Sequence, residues 1–187
     1  SALERRTIRW AAAHGVLVVA AAGNEHDQGN APEYPAALLQ PVGSNGRGGI
    51  GLSVGATAMN GTRAYFSNTG SYLSLAAPGF NVFAAESAEA PWPRAQLPWA
   101  SPGFYGWASG TSFSSPEVAG AAALVWAANP KLTAQQVASV LKRSADGNGW
   151  NSELGWGRLD AAAAVQLALQ TPGKALRMAR PASPRPA

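Results

Sequence analysis

The sequence predicts an α/β fold, a mostly parallel sheet with helices on both faces. Three observations lead there. Val16 to Ala22 is a short, unbroken apolar run closed by Gly15 and Gly23, the pattern of a strand buried on both sides. Helical segments alternate along the chain with further short apolar runs, and such alternation favours parallel pairing. Hydrophobic residues make up 47% of the 187 positions and charged ones 13%, enough apolar material for one well-filled domain.

The elements follow in order. A first helix is expected over roughly 2–14, where Leu3, Arg6 or Thr7, and Trp10 or Ala11 fall near helical spacing, with Gly15 just past its end. The apolar run at 16–22 is the first strand. Further strands are expected near 50–58, 63–66, 72–77 and 81–85, with a tight turn at Asn60-Gly61 between the first two of these. Glu86 to Ser109 reads as a long irregular stretch. A small-residue helix then runs over about 112–128, with Pro116 at an early position where its missing N–H costs least. Thr133-Ala134-Gln135-Gln136 has the form of a capping box and opens a helix to about Ser144. Asp160 reads as the N-cap of a last helix ending near 169.

Several function classes are excluded. The chain has no cysteine, so it holds no disulfide and no thiolate metal site. No apolar run reaches the length of a membrane span. The net charge of +4 does not indicate nucleic-acid binding. Lys174, Arg177, Arg180 and Arg185 stand in residues 171–187 without an acidic neighbour, and the other 10 basic residues are balanced by 10 acidic ones. That Pro-rich segment reads as a disordered tail or linker following a domain at 1–170. Gly46-Arg47-Gly48-Gly49-Ile50-Gly51 matches G-x-G-x-x-G in letters, but it precedes a strand instead of joining a strand to a helix, so it reads as flexible loop.

Two short runs carry chemistry. In Gly110-Thr111-Ser112-Phe113-Ser114-Ser115-Pro116-Glu117-Val118-Ala119-Gly120 a serine sits at or near the first turn of a buried helix. Free N–H groups and the positive end of the helix dipole would stabilise a developing alkoxide there. Ser112 could equally be a helix cap. Asn24, at the carboxyl end of the first strand, stands where open α/β sheets place ligands, and its amide could donate to an oxyanion. It could also form an Asx turn. Glu117 would place a carboxylate near the start of the helix.

Together and in this order these runs resemble the subtilisin-like serine peptidases. Val18-Val19-Ala20-Ala21-Ala22-Gly23-Asn24 looks like that family's oxyanion strand, and Gly110 to Gly120 like its nucleophile motif. Tyr34-Pro35-Ala36, Leu52-Ser53-Val54-Gly55-Ala56-Thr57, Phe66-Ser67-Asn68-Thr69-Gly70, Leu75-Ala76-Ala77-Pro78-Gly79 and Gly155-Trp156-Gly157-Arg158-Leu159-Asp160-Ala161 resemble its further landmarks. The resemblance implies a serine endopeptidase acting on polypeptides. Ser112 would be the nucleophile, with its own N–H and Asn24 as oxyanion donors. Ala20, Ala21, Ala22, Gly23, Tyr34 and Pro35 would line the pocket for the residue before the cleaved bond, open enough for large apolar side chains. A secreted or cell-envelope location is implied as well. So is a structural calcium in the complete fold, although no acidic cluster with ligand spacing is evident here.

The general base and its orienting acid are not evident. His14, at the end of the first helix, and His26, two residues after Asn24, both lack the family's H-G-T setting, and Asp27, Asp146 and Asp160 lack the setting of its acid. The chain is therefore expected to be the carboxyl-terminal part of a catalytic domain, incomplete on the amino-terminal side of its sheet and inactive alone. The first strand would be left as an open edge. A non-catalytic pseudopeptidase or interaction module is the alternative. Residues 37–50 and 86–106 exceed the family's usual spacing and are expected to be surface insertions.

Overall fold

The computed structural model describes residues 1–85 and 105–173. Most of the 86–106 insertion and of the 171–187 tail therefore lies outside the described residues. The elements are α1 (Ala2–Ala13), β1 (Val19–Ala21), α2 (Ala36–Leu39), β2 (Leu52–Thr57), β3 (Leu75–Pro78), β4 (Val82–Ala85), β5 (Tyr105–Ala108), α3 (Thr111–Ala128), α4 (Ala134–Ser144) and α5 (Ala161–Gln170).

β1, β2 and β3 form a parallel sheet in that order, with Val19 opposite Leu52 and Val54 opposite Leu75. β1 is three residues long, shorter than its apolar run suggests. Pairing nevertheless continues past both ends, through Leu52 N–H to Val18 O and Ala22 N–H to Val54 O. Among the described residues no strand pairs with the outer side of β1.

Helices cover both faces, as expected. On one face Leu52, Val54, Leu75 and Ala77 pack against Val118, Ala122 and Val125 of α3, Val137 and Leu141 of α4, and Ala164 and Ala168 of α5. On the other, Ala20 and Ala22 pack with Ile8 of α1, Ala36, Ala37 and Leu39, and Tyr72 and Leu73. Small residues let α3 lie close against all three strands.

The capping assignments at α4 and α5 hold. Thr133 and Gln136 form a reciprocal box, and Asp160 accepts from Ala163 N–H at 2.8 Å. Four expectations fail. In α1 only Ile8 is buried, whereas Leu3 and Trp10 are 64% and 61% exposed. The inward face runs through Glu4, Ile8 and Ala11–Ala12, and Trp10 instead stacks on His14 at 4.1 Å. Residues 63–66 make one isolated bridge, Thr57 to Arg63, because the chain turns sharply at Ala58–Gly61 and Arg63 then donates to the Tyr65 and Ser67 carbonyls. Tyr105–Ala108, inside the stretch read as irregular, is a strand paired antiparallel to β4. Finally, α3 starts at Thr111, so Pro116 is its sixth residue and lies in the helix interior. The ring removes the N–H that would have bonded the Ser112 carbonyl one turn back.

Candidate active site

β1 and α3 meet at their ends, and Thr111 holds them together. Its side chain is fully buried. Its hydroxyl accepts from Gly23 N–H at 3.3 Å and donates to Asn24 Oδ1 at 3.0 Å, and its backbone N–H donates to the same oxygen at 2.8 Å. A backbone N–H can only donate, so the oxygen side of the Asn24 amide is fixed toward Thr111. Nδ2 must therefore point away.

Ser112 is the second residue of α3. The N-cap is Gly110, with no side-chain capping bond, so Ser112 does not cap the helix. Its hydroxyl, its backbone N–H and Asn24 Nδ2 all lack a hydrogen-bond partner among the described residues, and both residues are exposed. The Ser112 hydroxyl and the Asn24 amide border one small volume beside Gly110. A Cβ built on that glycine would lie 2.9 Å from Ser112 Oγ and 3.6 Å from Asn24 Nδ2. Any larger residue would fill the gap between them. Gly110 N–H is tied to Gly79 O at 2.7 Å, and Ser114 Oγ to Pro78 O at 3.0 Å, so the end of β3 anchors the same corner.

The loop after β1 is held by two asparagines. Asn68, fully buried, accepts from Glu25 N–H at 2.8 Å and donates to Ala31 O at 3.1 Å. Asn30 exchanges bonds with Thr69. The Tyr72 hydroxyl donates to Ala22 O at 2.9 Å. Burial raises the Tyr72 pKa above its ordinary value, and the nearby carboxylates of Glu33 and Glu25 add to the rise.

The expected pocket residues divide. Ala20 and Ala22 are buried in the core cluster with α1 and α2 and turn no side chain outward. Ala21 and Pro35 are half-buried, Gly23 lies at the end of the strand, and Tyr34 is 61% exposed. Glu117 is the seventh residue of α3, beyond its first turn, so it does not serve the helix dipole as expected. Desolvation raises its carboxyl pKa. Among the described residues neither histidine bonds to Ser112 or to a carboxylate. His14 Nδ1 contacts Trp10 O at 2.8 Å, and His26 Nδ1 has no partner. Asp146 pairs with Arg158. Among the described residues no three of His, Asp or Glu gather as metal ligands.

Thr111, Glu25, Glu33 and Asn68 were not singled out from the sequence. Asn68 lay inside a quoted landmark, and Thr111 directly precedes the nucleophile candidate. Glu25 and Glu33 carried no signal beyond their closeness to Asn24 and Tyr34.

Comparison with known proteins gives the family. The Subtilase family model matches residues 1–157. The chain is 35% identical over 166 residues to Subtilisin BL of Lederbergia lenta, covering 89% of this chain and 52% of that protein. Among solved structures, a protease from Pseudoalteromonas arctica PAMC 21717 superposes with a TM-score of 0.68 at 33% identity, over 88% of this chain and 46% of that one. Fervidolysin from Fervidobacterium pennivorans, described as a keratinolytic enzyme related to subtilisin, gives a TM-score of 0.68 at 27% identity, over 90% and 24%. The chain thus spans about half the length of Subtilisin BL. With the family model, the sequence relatives and the fold in agreement, this chain belongs to the subtilase family of serine peptidases.

Proposed function

We propose that this chain carries the nucleophile and the oxyanion donors of a serine endopeptidase. The observation that carries the reading is the approach of the Ser112 hydroxyl and Asn24 Nδ2 beside Gly110, neither with a partner among the described residues. Ser112 Oγ attacks the peptide carbonyl. As the tetrahedral intermediate forms, its oxygen receives hydrogen bonds from Asn24 Nδ2 and Ser112 N–H. Thr111 is a positioning residue, holding the Asn24 amide in the one orientation that presents Nδ2. The base that accepts the Ser112 proton and the acid that orients it come from outside these 187 residues; in support, among the described residues neither His14 nor His26 bonds to Ser112 or to an acid. The substrate cleft borders Ala21, Gly23, Tyr34 and Pro35. The protein that contains this chain acts on polypeptides outside the cell or at its envelope.

The test is active-site labelling of the full-length protein with a fluorophosphonate. Ser112 is labelled, and Ser112→Ala abolishes both labelling and peptide hydrolysis. These 187 residues alone neither label nor hydrolyse. An unlabelled full-length protein, correctly folded by circular dichroism, would leave the chain as a non-catalytic binding module.

A further inference from the structure

We propose that Glu25 and Glu33 together select a substrate with a cationic side chain, lysine or arginine, immediately before the scissile bond. This rests on the reading of Ser112 and Asn24 given above.

The two carboxylate side chains come from either end of the loop that follows β1, and they converge on Gly23. A Cβ built on Gly23 would run into Asn68 Nδ2 and Glu33 Cγ and lie 2.9 Å from Glu25 Oε2. The two side chains therefore occupy neighbouring space on one side of the same glycine. Gly23 has a φ of 113°, open to glycine alone, and the missing side chain is what lets both acids approach. Glu25 is held in place: its Oε2 accepts Asn24 N–H at 2.7 Å. One acid is thus fixed through the backbone of the residue that supplies the oxyanion donor.

Among the described residues neither carboxylate has a cationic partner. Among the described residues the ion pairs are Ser1 with Glu4 and Arg158 with Asp146, and neither involves this loop. The Glu33 carboxylate makes no hydrogen bond there either. The other ionisable side chains of the same loop are His26, Asp27 and Tyr34, with the Tyr72 phenol beneath it donating to Ala22 O, and none of them is a lysine or an arginine. Both acids are half-buried, so solvent screens them incompletely. Two adjacent carboxylates repel each other and favour a cation between them. A guanidinium can bond both at once, and an ammonium can reach both as a point charge.

Position supplies the connection to the reaction. Moving from Glu33 to Gly23, to Asn24, to Gly110 and to Ser112, each step is a close approach already described. A peptide whose carbonyl oxygen sits between Asn24 Nδ2 and Ser112 N–H carries its preceding side chain alongside the end of β1, where these acids stand. The alanines of β1 suggested an apolar side chain from sequence. The wall they form is largely buried in the core, and the charge of the cleft comes from the loop instead.

The experiment uses the full-length protein and peptide substrates that differ only in the residue before the cleaved bond: Arg, Lys, Phe, Leu or Glu. Arg and Lys substrates are expected to exceed Phe and Leu in kcat/KM by about tenfold or more, and Glu to be the poorest. Glu33→Gln lowers the Arg to Phe ratio by about tenfold, mainly through KM. Glu33→Asp retains most of the preference. Glu25→Gln, which keeps an acceptor for Asn24 N–H, lowers the ratio less. Fluorophosphonate labelling separates the two layers. A labelled enzyme that prefers Phe or Leu, or whose Arg to Phe ratio is untouched by Glu33→Gln, overturns the selectivity and leaves the nucleophile standing. A full-length protein that does not label at Ser112 overturns both.

Discussion

The parallel strands have a polar cluster at each end, and the two are built on opposite principles. At the amino ends of β2 and β3, Lys142 Nζ donates to Gly46 O at 3.0 Å and Gly48 O at 2.9 Å, with Gln40 Oε1 at 3.5 Å. Gln40, fully buried, donates to Ser44 Oγ and Arg47 O and accepts from Ser74 Oγ. Trp156 Nε1 adds a bond to Gly46 O. Every donor of Lys142 and Gln40 is used. At the carboxyl ends, around Asn24 and Ser112, a hydroxyl, two N–H groups and a carboxylate are left without partners among the described residues. A buried polar network that is complete stabilises one conformation. A set of exposed groups held rigidly but left open is available to a ligand. The distinction separates structural from functional polarity without reference to residue type.

The comparison gives predictions of decreasing size. Asn24→Ala in the full-length protein should lower turnover by roughly 10² to 10³ with little change in KM, a magnitude taken from removal of such a donor in subtilisin. Steady-state kinetics check it, and near-native turnover would break the assignment of the open end. Lys142→Met should do the reverse. It leaves Gly48 O without its donor, takes one of two donors from Gly46 O and from Gln40 Oε1, and should destabilise the fold by about 1 to 3 kcal/mol in denaturant unfolding, with the reactivity of Ser112 unchanged. Burial holds the Lys142 pKa below its ordinary value. The unfolded chain then binds the extra proton, so this group's contribution to stability rises with pH between the lowered value and the ordinary one.

Glu117→Gln should give the smallest effect, a stabilisation of at most about 0.5 kcal/mol at neutral pH, since the group is partly solvated. The folded state holds the Glu117 proton more tightly than the unfolded chain. Native stability therefore falls as pH rises from the ordinary glutamate range through the raised value, and is constant above it. The gain from Gln should grow over that window. A gain that shrinks with rising pH would contradict the desolvation.

How much of this was legible in sequence depends on the distance over which each feature is determined. The capping box at Thr133 and Gln136 and the cap at Asp160 need only three or four neighbouring residues, and both are present. The buried strand at 16–22 was marked by its flanking glycines, though only its contact with β2 fixes which three residues form the ladder. The side of α1 that packs was not legible, because Leu3, Ile8 and Trp10 are all apolar and only the tertiary contact chooses Ile8. The Gly46–Gly51 loop reads in sequence only as flexible loop, because the contact that orders it comes from Lys142, about a hundred residues on. It presents carbonyl oxygens to a cation, the opposite polarity to a phosphate cradle. At the site, Ser112 and Asn24 were legible from motif context. Glu25 and Glu33 were not, because their convergence on Gly23 is a property of the folded loop.

The Thr111 contact also bears on how the site moves. Thr111 lies 88 residues from Gly23 and 87 from Asn24 in the chain, yet three hydrogen bonds join it to that pair, one to Gly23 N–H and two to Asn24 Oδ1. Local opening at this corner must break all three together. Strand end and helix start should therefore fluctuate as one body, so that thermal breathing elsewhere displaces Ser112 and Asn24 jointly and leaves their separation nearly constant. In amide hydrogen exchange this corresponds to Gly23 and Thr111 N–H exchanging with a common opening free energy, well above that of the neighbouring Glu25 to Asn30 turn.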